Sequence, residues 1–255
     1  DGYTHGIWNE RREEEMACGL IEFGSLYLDG KPVYPGTSYK GGKIEIGPTI
    51  QNTTVSRAAS KRLKWYFTGG RLIASECILK DISWDALNAK NLVYGREITV
   101  GAMRFRIRLL RGNPDELGEW MELVNAAGGP VNLAGSRLLT WGQDCEEDDT
   151  NWPAAFACIA GPWCGYYTSS EEKGFCWRPV LECLSMDPTL LLGKRVIATS
   201  NHNCQCSGIL ESVSDYDLVL GGSPGAHFPH GKNYKFCKAM GTKIAIDRGK
   251  LLFLE

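Results

Sequence analysis

The chain has 255 residues, 43% of them hydrophobic, and a formal net charge of -2 at pH 7, which is typical of an ordinary folded protein. Its length favours two domains, with room for a small third one. The near-zero charge excludes a surface that attracts nucleic acid or anionic membrane as a whole, so we expect neither nucleic-acid binding nor membrane insertion. We see no run of apolar residues long enough for a membrane span and no signal-peptide pattern in DGYTHGIWNERREEEMACG.

The first 70 residues predict a β-rich region that attaches the protein to a larger assembly. From residue 20 the sequence LIEFGSLYLDGKPVYPGTSYKGGKIEIGPTI contains short β-type runs. The dipeptides Asp29-Gly30, Pro35-Gly36 and Gly41-Gly42 separate these runs and are turn signals.

Strands dominate residues 71–111, where RLIASECIL and REITVGAMRFRIRLLRG flank a short helical stretch, DISWDALNAKN. In MRFRIRLL, residues 103–110, apolar residues alternate with arginines, so the two sets face opposite sides of a sheet. The arginines are Arg104, Arg106 and Arg108. They predict a solvated face that meets nearby acids. The alternative is a site for phosphate or a glycan carboxylate, because arginine binds such anions through paired hydrogen bonds.

The next segment, NPDELGEWMELVNAAGG, predicts one helix that packs on the sheet. Trp120, Leu123 and Val124 lie on one face of this helix, and Gly128-Gly129 ends it. A long irregular segment then extends to about residue 173. Long connections rich in aromatic residues often carry binding sites.

The order FRIRLL, GEWMELV, long connection and GFCWRPVLE resembles the C-type-lectin-like fold, in its formylglycine-generating-enzyme and phage variable-protein branch. The resemblance covers residues 71–185. It implies an α+β, β-rich domain in which the strand of residues 174–182 returns beside the first strand. It also implies that the long connection presents a ligand-binding surface.

We therefore predict that aromatic residues of this connection bind the ligand, because such side chains provide large contact areas at low rotamer cost. The alternative is that the tryptophans only pack the connection onto the sheet. The predicted binding residues are Trp141, Trp152, Trp163, Tyr166 and Tyr167.

Residues 186–255 alternate apolar and polar residues through at least four short strands, which predicts a small β-barrel. The pattern resembles the Sm-like barrel, and an SH3-like barrel fits nearly as well. Its landmarks are Gly193, Lys194, Val196, Gly208, Leu210 and Arg248-Gly249. Asp217 stands where RNA-binding Sm proteins have asparagine, and its carboxylate would repel phosphate, which favours an assembly role.

Several motifs suggest chemistry, and each has a simpler structural interpretation. Ten cysteines in a chain this long indicate mostly free thiols. The pair Cys158 and Cys164 resembles the copper(I) cysteines of the oxidase branch, with a spacing one residue longer.

The sequence DCEEDD at residues 144–149 fits a calcium loop or a solvated acidic loop. GGSPG at residues 221–225 predicts a turn, since no helix follows the serine.

A group of histidines and cysteines in the last 70 residues could hold zinc, but it lacks the usual paired spacing, so we expect no metal and no cofactor. The group comprises His202, Cys204, Cys206, His227, His230 and Cys237.

Together these patterns predict non-enzymatic recognition of a protein or glycan receptor. The resemblance implies a phage tail, prophage-derived or bacterial surface protein, located on a virion or on the bacterial surface. We expect it to form a homo-oligomer and to join other subunits. Two alternatives remain: a copper-dependent oxidase of the formylglycine-generating type, and an RNA-binding or ring-forming Sm-like protein.

Overall fold

The computed structural model is β-rich and includes a sheet curled into a half-barrel, which confirms the β-rich character expected from the sequence. The residues that the structure describes are 20–50, 61–112, 118–129, 132–133, 138–146, 149–156, 164–165 and 174–255. They form two compact units. The central unit consists of Glu22–Ile98 and Phe105–Cys183, and the C-terminal unit of Thr99–Arg104, Leu184–Glu255 and residues 20–21. The predicted division into 1–70, 71–185 and 186–255 stays a prediction.

The elements are named here in chain order. The strands are β1 (Ile21–Leu28), β2 (Lys31–Pro32), β3 (Thr37–Ser38), β4 (Ile44–Gly47), β5 (Arg62–Thr68), β6 (Arg71–Ala74), β7 (Leu79–Lys80), β8 (Arg96–Val100), β9 (Met103–Arg108), β10 (Leu139–Glu146), β11 (Asp149–Phe156), β12 (Cys164–Gly165), β13 (Phe175–Trp177), β14 (Val180–Met186), β15 (Arg195–Ser200), β16 (Gln205–Val213), β17 (Asp217–His227), β18 (Cys237–Met240), β19 (Lys243–Asp247) and β20 (Leu251–Leu254). The described residues also form the helices α1 (Trp84–Asn88) and α2 (Gly118–Ala126) and the 3-10 turns η1 (Pro188–Leu191), η2 (Pro229–Gly231) and η3 (Arg248–Lys250).

The largest sheet has the strand order β2-β1-β5-β6-β14-β9-β8, with β4 also paired to β1. The β1-β2 hairpin turns at Asp29 and Gly30, whose φ angles are 49° and 73°. Two consecutive left-handed residues make a turn whose twist matches that of the strands, which is why Asp-Gly is a strong hairpin signal. The predicted turn at this dipeptide is therefore confirmed.

The strand after the GFCWRP stretch, β14, lies inside this sheet between β9 and the strand that begins at residue 71, β6. In the antiparallel pair of β14 and β6, Val180 lies opposite Ile73 and Leu181 opposite Leu72. The amide of Ala74 donates to the carbonyl of Pro179 at 3.0 Å. Residues 180–182 therefore return to the start of their own segment as predicted. A single strand over residues 174–182 was wrong, because Phe175–Trp177 form β13, which pairs with β10 and β7 in a separate sheet.

A second sheet of the central unit has the order β12-β11-β10-β13-β7-β3. A disulfide between Cys77 and Cys176 ties the segment before β7 to β13, across a sequence separation of 99 residues. The sequence analysis did not anticipate this pair. Among the described cysteines the free thiols are Cys183, Cys204, Cys206 and Cys237.

Trp65, Trp141 and Trp177 are the largest fully buried side chains among the described residues. The indole N–H of Trp65 donates to the carbonyl of Phe23 at 2.7 Å. Helix α1 also contributes Trp84, whose N–H donates to the carbonyl of Gly142 at 3.1 Å. Such a bond replaces the hydrogen bonds to water that a buried indole loses, whereas Nε1 of the buried Trp177 has no hydrogen-bond partner among the described residues.

The C-terminal unit is a six-stranded sheet with the order β18-β19-β17-β16-β15-β20. Its strands are all antiparallel, and β20 returns beside β15 after η3. Leu210, Leu218, Phe236 and Ile246 belong to its buried core. The predicted series of at least four short strands is confirmed.

A bulge in the β16-β17 pair explains the glycines of this unit. A Cβ on Gly208 would lie 2.9 Å from the carbonyl oxygen of Gly221, so only glycine fits there. The pairing register shifts between Ser207 and Ile209, on either side of Gly208, as a bulge requires. The GGSPG segment was predicted to be a turn, and this was wrong: it lies within β17. Gly222 and Ser223, with φ angles of 64° and 61°, accommodate the extra residues inside the strand.

Candidate functional site: a charged pocket in the central unit

Three segments meet where β9 ends. Leu110 forms a parallel bridge with Gly142 of β10, and the amide of Gln143 donates to the carbonyl of Leu110 at 2.7 Å. The amide of Glu119, in the first turn of α2, donates to the carbonyl of Arg111 at 3.0 Å. These bonds place charged side chains of β9, α2 and β10 around one point.

Arg108 is the innermost charge of this group, and its side chain is fully buried. Its guanidinium donates to both carboxylate oxygens of Glu119, at 2.6 Å and 2.7 Å. It also donates to Oε1 of Glu182, from Nε at 2.9 Å and from Nη2 at 2.7 Å. A further bond reaches the carbonyl of Leu109 at 2.7 Å. The guanidinium is therefore saturated by the protein itself.

Glu119 is the shared acceptor of the network. Besides Arg108, it accepts a hydrogen bond from Nη1 of Arg71 at 2.7 Å and one from the amide of Arg111 at 2.8 Å. Arg71 also donates to both oxygens of Glu122, at 2.8 Å and 2.9 Å. Such a network is stable in the interior only because every charge has a partner.

The pKa values of the central pair move apart. Burial by itself would raise the pKa of Glu119, but the hydrogen bonds from Arg108 and the Arg111 amide, with the charges of Arg108 and Arg71, outweigh burial and lower it. Burial likewise would lower the pKa of Arg108, but the hydrogen bonds and charges of Glu119 and Glu182 raise it. Both groups therefore stay ionised around neutral pH. Neither is poised to exchange a proton with a substrate.

A pocket of about 250 Å³ opens beside this network. The side chains of Arg111 and Glu122 are 49% and 38% exposed, so both can meet a ligand. Asp144 forms another wall, and its Oδ2 accepts a hydrogen bond from the amide of Gly112 at 2.7 Å. The complete lining is Arg71, Arg111, Gly112, Gly118, Glu119, Glu122 and Asp144.

The pocket places positively charged hydrogen-bond donors, the arginines, next to negatively charged acceptors, the carboxylates. Its carboxylates outnumber its guanidiniums, and Arg71 is already paired with two of them. A free phosphate or carboxylate would meet repulsion from Glu122 and Asp144. A neutral group with several hydroxyls can donate to these acids and accept from Arg111, so it matches the lining better.

The predicted face of three arginines is only partly present. Arg104 and Arg106 are exposed, and Phe105 and Ile107 are buried, as the alternation predicts. The prediction was wrong for Arg108, which is buried because Glu119 and Glu182 neutralise it there. The sequence shows the acids near these arginines, but it does not show that one carboxylate serves Arg71, Arg108 and the Arg111 amide together.

Of the predicted ligand-binding aromatics, only the Trp141 side chain is described, and it is fully buried. Its ring stacks on Phe175 at 4.3 Å between centroids, and its N–H donates to the carbonyl of Ile82 at 2.7 Å. These contacts match the packing alternative. Trp152 lies in β11, but only its backbone is described. Trp163, Tyr166 and Tyr167 lie outside the described residues, so their predicted role stays a prediction.

The candidate metal residues are also only partly described. Cys158 lies outside the described residues, and Cys164 is described only as backbone in β12. Of the acidic stretch 144–149, Asp144 alone has a described side chain. In the part of the chain that can be assessed, no three histidine, cysteine or acidic side chains come together as metal ligands. That includes the described members of the histidine and cysteine group in the last 70 residues.

Comparison with known proteins identifies no relative. The chain matches no family model, and no curated protein or solved structure is significantly similar to it. Among the described helices, none is both long and apolar enough to cross a membrane.

Proposed function

We propose that the protein recognises a receptor without converting it chemically, and that a C-type-lectin-like central region carries the binding surface. A glycan fits the pocket better than a protein side chain, because sugar hydroxyls both donate and accept hydrogen bonds. As the resemblance implies, the receptor would lie on a host cell, and the protein would belong to a phage tail, a prophage-derived particle or a bacterial surface.

The observation that carries the proposal is the closure of β14 against β6. It supports the lectin-like interpretation because that fold brings its last strand back to its first. Helix α2, which carries Glu119 and Trp120, packs with β5 and β6 residues as such a helix should. The parallel pair of β10 and β13 supports a connection that begins and ends at one sheet, although this connection is not irregular throughout, as was predicted, since it contains β11 and β12.

The C-terminal unit supports the second part of the proposal, a small barrel of the SH3 or Sm type that joins the protein to other subunits. Strands β15, β16 and β17 form a meander, β18 and β19 form a hairpin whose second strand pairs with β17, and β20 returns beside β15 after the 3-10 turn η3. Asp217 at the start of β17 is held by a 2.6 Å bond from Ser214 Oγ. A carboxylate anchored in this way disfavours RNA and favours a protein contact.

The test is a glycan screen with the full chain, followed by titration of any hit. We expect Asp144→Asn and Arg111→Gln to weaken binding about tenfold each, because each removes a polar partner from the pocket. Arg106→Gln, which removes an exposed arginine outside the pocket, is the matched control and should bind normally.

A second set of variants tests the aromatic connection. We expect Trp152→Ala, Trp163→Ala, Tyr166→Ala and Tyr167→Ala together to abolish binding, since stacking aromatics supply most of the contact area in such sites. The proposal is wrong if no glycan or cell-surface receptor binds. It is wrong in its site assignment if binding survives both sets of variants.

A further inference from the structure

The C-terminal unit contains a larger groove, of about 520 Å³, which is a usual size for a binding site. Residues of β17, β18, β19 and the segment before β18 line it. They are Asp217, Asn233, Lys235, Phe236, Cys237, Lys238, Ala245, Ile246 and Asp247. The buried Phe236 and Ile246, with Ala245, contribute apolar atoms to it, and two aspartates and two lysines contribute charged groups.

The charges of the groove are separated by sign. Asp217 and Asp247 lie directly opposite each other in the β17-β19 pair, an arrangement that costs stability because two like charges are neighbours. Lys238 lies opposite Ala245 in the β18-β19 pair, and Lys235 precedes β18. None of the ion pairs found among the described residues involves these four side chains. We call the β18 side of the groove, with Lys235 and Lys238, its basic end, and the β17-β19 side, with Asp217 and Asp247, its acidic end. The two adjoin, since the amide of Asp247 donates to the carbonyl of Phe236 at 2.9 Å.

The segment that forms the basic wall is held rigidly in a costly conformation. Tyr234 and Lys235 both adopt left-handed backbone angles, with φ values of 51° and 57°. Lys250 Nζ donates to the carbonyl of Tyr234 at 3.0 Å. The Asn233 side chain exchanges two bonds with the backbone of Cys237, at 2.6 Å and 3.0 Å. Strain that is over-determined in this way commonly marks a functional surface.

A prominent tyrosine stands next to the acidic end of the groove. Tyr216 is 84% exposed, the largest exposed fraction of any large hydrophobic side chain in the described part of the chain. Its backbone is held at both sides. Its amide donates to Ser214 Oγ at 3.2 Å, and its carbonyl accepts from the amide of Arg248 at 2.9 Å. The backbone of Tyr216 is therefore anchored, and its ring projects into solvent next to the groove.

We propose that the groove receives Tyr216 of a second copy of this chain, so that the C-terminal units form a two-fold dimer. A projection and a groove on one patch are self-complementary about a two-fold axis, since each copy offers both. In such a dimer the basic end, Lys235 and Lys238, faces the partner copy's acidic end. The partner copy's lysines would also offset the electrostatic repulsion between the neighbouring carboxylates of Asp217 and Asp247.

Two other modes fit less well. Strand β18 is at the edge of its sheet, but it has only four residues and carries the exposed Lys238, features that protect an edge against strand pairing. Nucleic acid would have to place phosphate near Asp217 and Asp247. The contact we propose therefore uses the face of the sheet.

The experiment is sedimentation velocity on the full chain across the micromolar range. We expect a monomer-dimer equilibrium, and we expect Tyr216→Ala to raise the dimer dissociation constant at least about tenfold, as for an aromatic anchor seated in a pocket. Tyr216→Phe should retain the dimer. Leu190→Ala, which removes a 57% exposed apolar side chain of the same unit outside the groove, is the control.

A charge variant keeps the proposal testable if Tyr216→Ala folds poorly. The double variant Lys235→Glu and Lys238→Glu should weaken the dimer about tenfold or more, because it faces the partner's aspartates with like charges. Lys194→Glu with Lys232→Glu makes the same change in net charge at exposed sites outside the groove and should not. A wild-type chain that stays monomeric, a larger ring, or a dimer indifferent to both variants would overturn the proposal.

Discussion

Arg108 and Glu119 form a bidentate ion pair, with distances of 2.6 Å and 2.7 Å, whose side chains are 0% and 4% exposed. The pair joins the end of β9 to the first turn of α2. It lies under the charged pocket, so it sets the position of the segment that carries Arg111. The pocket therefore depends on a buried contact, of which Glu119 also forms part of the pocket lining.

Removing the charge of Glu119 should destabilise the fold. In Glu119→Gln the guanidinium of Arg108 loses its bidentate partner in the interior, and we expect the free energy of unfolding to fall by about 3 kcal/mol. Urea denaturation measures this change. The matched variant Glu122→Gln alters a partly exposed carboxylate and should cost no more than about 1 kcal/mol. Equal losses in the two variants would contradict the central role of Glu119.

The same carboxylate predicts a pH dependence. The folded state lowers the pKa of Glu119 below its ordinary value of 4.5, so folding favours the ionised form. This contribution is fully present above pH 4.5 and is lost as the pH falls through the folded pKa. We expect wild type and Glu119→Gln to differ in stability at neutral pH and to converge in acid. Denaturation curves at a series of pH values test this, and a constant difference would contradict it.

The disulfide should contribute more to stability than its small contact area suggests. Cys77 and Cys176 close a long loop, so their bond restricts the unfolded chain. We expect the double variant Cys77→Ser and Cys176→Ser to lose about 2–5 kcal/mol in denaturation experiments. Cys183→Ser changes an exposed free thiol and serves as the control. A double variant as stable as this control would show that the bond is dispensable.

Free thiols should differ in reactivity. Burial raises the pKa of Cys204, and burial together with the neighbouring thiol of Cys237 raises that of Cys206, so little thiolate forms at either site. Partial burial of its thiol also raises the pKa of Cys183, but the residue as a whole is exposed and so can be reached by a reagent. We expect iodoacetamide to modify Cys183 in the native protein well before Cys204 or Cys206, as followed by peptide mass spectrometry. Comparable labelling rates at all three would contradict the buried placement.

A substitution at Trp141 distinguishes the packing interpretation of this residue from the ligand-binding one. Trp141→Phe should lower the free energy of unfolding by about 1–3 kcal/mol, because the buried carbonyl of Ile82 loses its donor. Calorimetry or denaturation measures this loss, with Tyr216→Phe as an exposed control expected to change stability by less than about 0.5 kcal/mol. If Trp141→Phe left stability unchanged and weakened receptor binding instead, the packing interpretation would be wrong.

Local patterns in the sequence determined much of the fold. The Asp29-Gly30 hairpin, the alternation of Phe105 and Ile107, and the meander after residue 186 follow from turn chemistry and side-chain period. Local patterns gave a wrong prediction for the GGSPG segment, which lies within β17. Gly222 and Ser223 look like a turn locally, but the cross-strand partners in β16 extend the strand through them.

Only the tertiary structure decided which residues far apart in the chain form ion pairs, hydrogen bonds and the disulfide. Glu119 meets Arg71 48 residues away, and Glu182 meets Arg108 across 74 residues. The partner of Cys77 is 99 residues distant. The sequence by itself determined which residues could carry charge, pack or turn. Their pairing depended on sheet order, because a buried charge or a thiol acquires its partner only when separate strands are brought together.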